Sequence, residues 1–245
     1  MTTLHRAAIV FLLVVTALGG SVTANDVTPA SALDRLKAGN ARFVANPATP
    51  LPVDEEARQA QLKGQSPFAI VLSCADSRIP PEIIFNVGLG HLFIVRTAGQ
   101  VTDKAVLASI EYAAEHLHVP LLVVMGHESC GAVKASIDTK PGAPSMGPNL
   151  DALVAAIRPA FDRMSHPADE AHMRDAILAN VEQVVNDVLA NSAVVKHLAG
   201  AGSLQVVGAY YELGSGRVRF SQPLAAGAAP GHGAPDPHKA ADPHK

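Results

Sequence analysis

The sequence predicts an α/β fold: a mostly parallel central β-sheet flanked by helices, with an antiparallel edge strand and an N-terminal helical arm. Short apolar runs alternate with longer segments of helical periodicity, which is typical of β-α-β units and a parallel sheet. Only a Gly214-Ser215-Gly216 turn separates the last two apolar runs, which favours an antiparallel pair at the sheet edge. The 245 residues, 48% of them hydrophobic, suffice for one large domain with a buried core.

The individual elements are predicted from periodicity and flanking residues. Residues 31–45 place Leu33 and Leu36 near one face of a helix, and Pro29 supplies a start signal ahead of them. Four further helices are expected over residues 104–118, 131–137, 150–161 and 170–198. Five strands are expected over residues 68–73, 92–95, 120–125, 204–211 and 217–220.

The first residues have the features of an export signal. Residues 7–18 are apolar apart from Thr16, and they are fewer than the roughly 20 residues that span a bilayer. The segment Val22-Thr23-Ala24 then offers small residues at the positions that a signal peptidase reads. We expect a signal peptide over residues 1–24, a periplasmic or secreted protein, and no membrane span after cleavage. An uncleaved N-terminal anchor is the alternative.

The remaining chain divides into a domain over residues 25–224 and a low-complexity tail over residues 225–245. The tail is rich in Gly, Ala and Pro and contains a near-repeat of six residues, so it cannot bury a core. We therefore predict a disordered tail. Its histidines allow two interpretations, a metal-capturing tail or a solubilising tail in which they are incidental. These histidines are His232, His238 and His244.

The charge balance and the cysteine count exclude two classes of protein. Lys and Arg total 19 against 22 Asp and Glu, and the net charge of -3 lacks the basic excess typical of nucleic-acid binding. We therefore expect no nucleic-acid partner. Only two cysteines are present, which excludes a scaffold held together by several disulfides.

Chemically reactive side chains follow two of the predicted strands. Cys74, Asp76 and Arg78 come directly after the first strand, and His127 and Cys130 follow the third. Because ligands collect beyond the carboxyl ends of parallel strands, these side chains can meet in the fold. Two sulfurs, one imidazole and one carboxylate match the donors that zinc accepts, and we expect one helical turn to aim His127 and Cys130 inward. A simple disulfide is the alternative, since exported proteins commonly contain them.

The two motifs together resemble those of the β-class carbonic anhydrases. They are Cys74-Ala-Asp-Ser-Arg78 and Gly126-His-Glu-Ser-Cys-Gly131. The resemblance covers residues 31–221 and includes an N-terminal helix, the segment after the first motif and a closing hairpin. These similar segments are residues 36–43, 79–85, 88–90, 92–99 and 211–218.

This resemblance implies a zinc enzyme that reversibly hydrates carbon dioxide to bicarbonate and a proton, with one Zn²⁺ per subunit. Cys74, His127 and Cys130 match the family's permanent zinc ligands. Asp76 and Arg78 match its catalytic dyad, which orients zinc-bound hydroxide. In the family, the aspartate matched by Asp76 either takes the fourth zinc position or pairs with the arginine. The resemblance also implies a homodimer or homotetramer that pairs through its N-terminal helices.

The chain departs from the family's pattern in one segment. Residues 86–91 are Asn-Val-Gly-Leu-Gly-His, where many bacterial relatives have Asp-Gln-Gly-Leu-Gly-Asp. The Val87 side chain cannot donate the hydrogen bond that a glutamine there could make to substrate. Gly131, beside the last matched ligand, is expected to permit a close approach of the backbone.

Two other functions are compatible with the same motifs. One is a hydrolase of carbonyl sulfide or carbon disulfide, which shares the fold and the zinc ligands. The other is a non-catalytic zinc-binding protein, for which the histidine-bearing tail is the positive hint. The intact Asp76 and Arg78 favour an enzyme, because zinc storage needs no dyad.

Overall fold

The computed structural model describes residues 27–140 and 142–221. The predicted signal peptide over residues 1–24 and the predicted tail over residues 225–245 lie outside these ranges. Among the described helices, none is both long enough and apolar enough to cross a membrane.

A five-stranded sheet forms the centre of the fold. Its strands are β1 (Ala69–Cys74), β2 (Leu92–Thr97), β3 (Leu121–His127), β4 (Gln205–Tyr211) and β5 (Val218–Phe220). Their order across the sheet is β2-β1-β3-β4-β5. The first four are parallel, and β5 pairs with β4 in the antiparallel direction. The predicted mostly parallel sheet with an antiparallel edge strand is confirmed.

Helices precede, connect and cover the strands. The α-helices are α1 (Pro29–Ala45), α2 (Glu55–Ala60), α3 (Pro81–Ile84), α4 (Lys104–Glu111), α5 (Gly131–Asp138), α6 (Pro148–Ile157), α7 (Met173–Asn191) and α8 (Ala193–Gly200). The first helix begins where the Thr28 side chain accepts the backbone N–H of Ser31, and Pro29 occupies its first turn. The helix predicted over residues 31–45 is therefore confirmed, whereas the short α2 and α3 were not predicted.

The prediction of one helix over residues 170–198 is wrong. The backbone of Ser192 is extended, with φ -116° and ψ 108°, and it separates α7 from α8. Its hydroxyl accepts the N–H of Val195 at 3.1 Å and donates to the Glu111 carboxylate at 2.6 Å. A serine that caps a helix accepts a backbone amide that otherwise has no partner, so Ser192 starts a new helix. The apolar periodicity continues across this residue and therefore predicted one helix.

Alternate residues of the central strands enter two separate apolar cores. Val71 and Val123 pack on one side of the sheet with the apolar residues of α1, α5 and α6. Ile70 and Leu122 pack on the other side with α4 and α8. Since successive strand residues point to opposite faces, the continuous apolar runs of β1 and β3 are the expected pattern for strands covered on both sides.

The strand order creates a crevice between β1 and β3. The chain adds β2 on one side of β1 and β3 on the other, so the direction of winding reverses between these two strands. Ligand sites in such sheets lie at this reversal, outside the carboxyl ends of the strands. Cys74 ends β1 and His127 ends β3, so both residues stand at this position.

Candidate metal centre

Three side chains with metal-binding atoms converge at the carboxyl ends of β1 and β3. Cys74 Sγ, Cys130 Sγ and a ring nitrogen of His127 lie within 4.8 Å of one another, and all three residues are buried. In the described part of the chain, no other group of three or more His, Cys, Asp or Glu side chains comes together in this way. The structure thus brings together the three residues predicted as permanent zinc ligands.

The loop between β3 and α5 positions two of these ligands. His127 is the last residue of β3, and Cys130 immediately precedes α5. Between them, Ser129 has a left-handed φ of 56°, which turns the chain sharply. The expectation that one helical turn carries both ligands is wrong, because the chain passes from a strand end through this turn before the helix begins.

The ring of His127 is oriented to offer a lone pair. Its Nδ1 lies 2.9 Å from the carbonyl oxygen of Glu128, which can only accept, so Nδ1 carries the proton. Its Nε2 is therefore an acceptor, and it has no hydrogen-bond partner among the described residues although His127 is fully buried. A buried, unpaired nitrogen is destabilising unless a ligand occupies it. This arrangement is the one in which histidine binds a metal.

The two thiols form a coupled pair and are not joined in a disulfide. The hydrogen bond from Cys130 lowers the pKa of Cys74 to about 4 and raises that of Cys130. The backbone N–H of Gly99 also donates to Cys74 Sγ, at 3.3 Å. One thiolate is thus favoured even without a metal, and thiolate is the form that binds zinc.

This donor set fits zinc. Zinc binds thiolate sulfur at about 2.3 Å and imidazole nitrogen at about 2.0–2.1 Å, which is compatible with donors less than 4.8 Å apart. Three protein donors are the number found in catalytic zinc sites, where a fourth position takes water or substrate.

Asp76 and Arg78 form a two-point ion pair at the edge of the ligand set. Arg78 donates from Nε to Oδ1 at 2.9 Å and from Nη2 to Oδ2 at 2.7 Å. These hydrogen bonds hold the pKa of the Asp76 carboxyl well below its usual range. Its Oδ2 lies 3.9 Å from Nε2 of His127, so the carboxylate faces the ligands while it is paired with Arg78. The three converging donors do not include Asp76.

Arg96 supports the loop between the first ligand and this pair, although it was not among the predicted site residues. From β2, its Nε donates to the carbonyl of Cys74 at 2.9 Å and its Nη2 to the carbonyl of Asp76 at 2.5 Å. The sequence contains an indication of this role, because an arginine inside an otherwise apolar strand needs polar partners.

Asn180 of α7 is a second contributor that was not predicted. It is fully buried, and its Nδ2 donates to the carbonyl oxygen of Gly99 at 3.0 Å. Gly99 has a φ of 61° and directs its own N–H to the sulfur of Cys74. Asn180 therefore anchors the turn that supplies a hydrogen bond to a predicted metal ligand.

The close backbone approach expected at Gly131 occurs instead at Gly126. A Cβ atom at Gly131 would meet no atom within 4 Å, so that expectation is wrong. A Cβ atom at Gly126 would lie 2.7 Å from Val181 Cγ2 and 2.9 Å from Ile177 Cγ2. The glycine before His127 thus allows α7 to pack directly on the end of β3.

Comparison with known proteins gives a consistent set of relatives. A family model described as carbonic anhydrase matches residues 69–218. Carbonic anhydrase 2 of Mycobacterium tuberculosis (strain H37Rv) is 40% identical over 197 residues, which cover 78% of this chain and 92% of that protein. The carbonic anhydrase of Mycolicibacterium smegmatis is 38% identical over 196 residues, covering 80% of this chain and 95% of its relative.

A solved structure extends the similarity to three dimensions. The β-carbonic anhydrase of Coccomyxa, solved in complex with acetazolamide, superposes with a TM-score of 0.62 at 27% sequence identity. The match covers 79% of this chain and 88% of that protein.

Proposed function

The chain belongs to the β-class carbonic anhydrases, and on that premise we propose that Cys74, His127 and Cys130 hold one zinc ion for the reversible hydration of carbon dioxide. The observation that carries the proposal is the buried, unpaired Nε2 of His127 beside two free thiols. Zinc held by these residues would supply a Lewis acid that makes water a strong nucleophile near neutral pH.

Asp76 is proposed to orient the attacking oxygen. Its carboxylate is ionised and can only accept hydrogen bonds, so a hydroxyl proton beside the ligands would point toward it. The oxygen's lone pair is then free to face the carbon of carbon dioxide. The position of Oδ2, 3.9 Å from Nε2 of His127, supports this role.

Arg78 is proposed to hold Asp76 in this orientation. Two parallel hydrogen bonds between a guanidinium and a carboxylate fix both the position and the charge of the acid. Arg78 also donates to the carbonyl of Ser129 at 3.3 Å, which ties the pair to the loop before the last ligand. The alternative arrangement, in which Asp76 itself takes the fourth metal position, requires this pair to separate and stays a prediction.

We also propose that the protein is exported and assembles as a homodimer or homotetramer. The export signal predicted over residues 1–24 supports a periplasmic or secreted location.

A wide cleft of about 710 Å³ supports self-association, because the apolar side chains of Leu62, Leu89 and Tyr112 are exposed in or beside it. Measuring the mass of the purified protein in solution tests the second proposal.

The experiment for the catalytic proposal compares Asp76→Asn with wild type in carbon dioxide hydration. We expect the variant to keep its zinc and to lose activity by about 100-fold or more. An amide has one oxygen that accepts hydrogen bonds, whereas a carboxylate has two, so asparagine cannot pair with Arg78 and accept the hydroxyl proton as aspartate does. Asp138→Asn is a matched control, since Asp138 is exposed and, among the described residues, its ion pair is with Lys134 of the same helix. Wild-type rates in Asp76→Asn would refute the proposed role of the carboxylate.

A parallel assay with carbonyl sulfide distinguishes a carbonic anhydrase from the alternative, a carbonyl sulfide hydrolase. Because enzymes for carbon dioxide hydration and for carbonyl sulfide hydrolysis share the fold and the donor set, only a direct comparison of rates distinguishes them. Rapid carbonyl sulfide hydrolysis without carbon dioxide hydration would refute the proposed substrate. Zinc binding without either activity would favour the non-catalytic alternative.

A further inference from the structure

A cleft far from the metal centre carries positive charge without a balancing acid. It lies between α1 and residues 86–91 and has a volume of about 300 Å³. Arg35, Arg42 and His91 line it, and none of its lining residues is Asp or Glu. Positive groups gathered in a cleft without an acid attract an anionic ligand.

The sequence of α1 builds one wall of this cleft. Arg35, Ala38 and Arg42 are spaced by three and four residues, so they share one face of the helix. Two helical turns separate the arginines, a rise of about 10 Å. The small Ala38 between them leaves room for a ligand that contacts both guanidinium groups.

In residues 27–140 and 142–221, no acidic side chain pairs with either arginine. The guanidinium of Arg35 lies 3.9 Å from the centre of the Phe68 ring, and within the described ranges it has no hydrogen bond or ion pair. Arg42 donates from Nε and Nη2 to the side-chain and backbone oxygens of Asn86, at 3.1 and 3.3 Å. Asn86 therefore orients Arg42 without cancelling its charge, which leaves Nη1 able to donate.

The two arginines, rather than His91, carry the positive charge of the cleft. Partial burial lowers the pKa of Arg35, and burial together with the charge of Arg35 lowers the pKa of His91. The lowered pKa favours the neutral form of the His91 imidazole, so the positive charge of the cleft comes from the two guanidinium groups. Both arginine side chains are exposed, so an anion can reach them directly from solvent.

We propose that this cleft binds a small organic or inorganic dianion, whose oxygens Arg35 and Arg42 both contact. A volume of about 300 Å³ is at the lower limit of small-molecule sites. A guanidinium group recognises carboxylate and phosphate oxygens with the same two-point geometry, so both chemistries fit. Phe68 and Val87 also line the cleft and suit the carbon chain that joins two carboxylates.

This site is separate from the catalytic one. Phe68 directly precedes β1, whereas the ligand Cys74 ends that strand. The six residues of β1 therefore place about 20 Å between the cleft and the metal centre. An anion bound here does not contact the reacting atoms.

The test is a calorimetric titration of the zinc-loaded protein with succinate and, separately, with inorganic phosphate, at constant ionic strength. We expect saturable binding of one anion per chain by at least one of the two probes. Arg35→Met and Arg42→Met each remove a charge-assisted hydrogen bond and should weaken that binding by about tenfold or more. The probe that binds more tightly identifies the chemistry of the ligand.

Lys37→Met provides the matched control. Lys37 lies on the same helix and carries the same charge, but it is not part of the cleft and contacts Asp34 at 3.4 Å. We expect this variant to bind the probe as wild type does, and Arg35→Met to hydrate carbon dioxide at the wild-type rate without added anion. Absence of saturable binding for both probes, or equal weakening by Lys37→Met and Arg35→Met, would overturn the proposal.

Discussion

Replacing Asn180 with leucine tests how the fold controls the Cys74 sulfur. Asn180 is fully buried and donates from Nδ2 to the carbonyl oxygen of Gly99 at 3.0 Å. Gly99 in turn donates its N–H to Cys74 Sγ at 3.3 Å. Leucine has a similar size but no donor, so the substitution frees this turn while keeping α7 packed against the sheet.

The cost in folding stability is expected to be small. Loss of the hydrogen bond leaves the buried carbonyl of Gly99 unpaired, which costs about 1–3 kcal/mol. The oxygen Oδ1 of Asn180 has no partner among the described residues, so removing it offsets part of that cost. We therefore expect the free energy of unfolding to fall by about 1 kcal/mol, at the lower end of the range.

The effect on the metal is expected to be larger. Losing a partner that orients a metal ligand typically lowers metal affinity or activity by about 10–100-fold. Competition between Asn180→Leu and a coloured zinc chelator measures the affinity directly. The cobalt-substituted variant should also show a shifted sulfur-to-metal charge-transfer absorption, because the Cys74 sulfur has lost a hydrogen bond.

Asn191→Leu is the matched control for this experiment. Asn191 lies at the exposed end of the same helix, and within the described part of the chain its side chain donates to the carbonyl of Asp187. It should keep the wild-type zinc affinity and cobalt spectrum. If Asn180→Leu loses stability but keeps both metal properties, Asn180 has only a structural role and the reasoning is refuted.

Three further predictions concern the fold and the ligand set. Asn40 is buried and makes three hydrogen bonds with two carbonyls and one amide, so Asn40→Ala should lower the free energy of unfolding in urea by about 3 kcal/mol. An unchanged denaturation midpoint would contradict this. The Arg219 hydrogen bond lowers the pKa of Glu212, so this pair stabilises the folded form above the unfolded pKa of about 4.3 and less as pH falls through that range. Glu212→Gln should therefore be less stable than wild type at pH 7 by up to about 1 kcal/mol. If the free energy of unfolding depends on pH in the same way in both proteins, the pair does not stabilise the fold as described. Cys130→Ser should lose its zinc because a hydroxyl is a poor zinc ligand, and full zinc content in that variant would count against the proposed site.

The position of the candidate site followed from the sequence because it depends on local patterns. Two short apolar runs predicted β1 and β3, and the rule that ligands gather at the carboxyl ends of parallel strands brought Cys74 and His127 together. The structure places them as expected. One helical turn was expected to aim His127 and Cys130 inward, but His127 ends a strand and the left-handed φ of Ser129 turns the chain between them. Apolar periodicity carries no information on such a turn.

Other features of the site depend on contacts between distant segments. Asn180 is separated from Gly99 by 81 residues, so no local pattern connects its amide with the turn beside Cys74. The break at Ser192 was missed because the apolar stripe continues across it. The pairing of Asp76 with Arg78 is a choice between two arrangements of the same side chains, and a motif does not distinguish them.

The most direct test of the central claim is the zinc content of the freshly purified protein, grown with zinc supplied. Cys74, His127 and Cys130 predict one zinc ion per chain. Protein that is folded but contains no zinc, with its two cysteines joined to each other, would contradict the proposed centre.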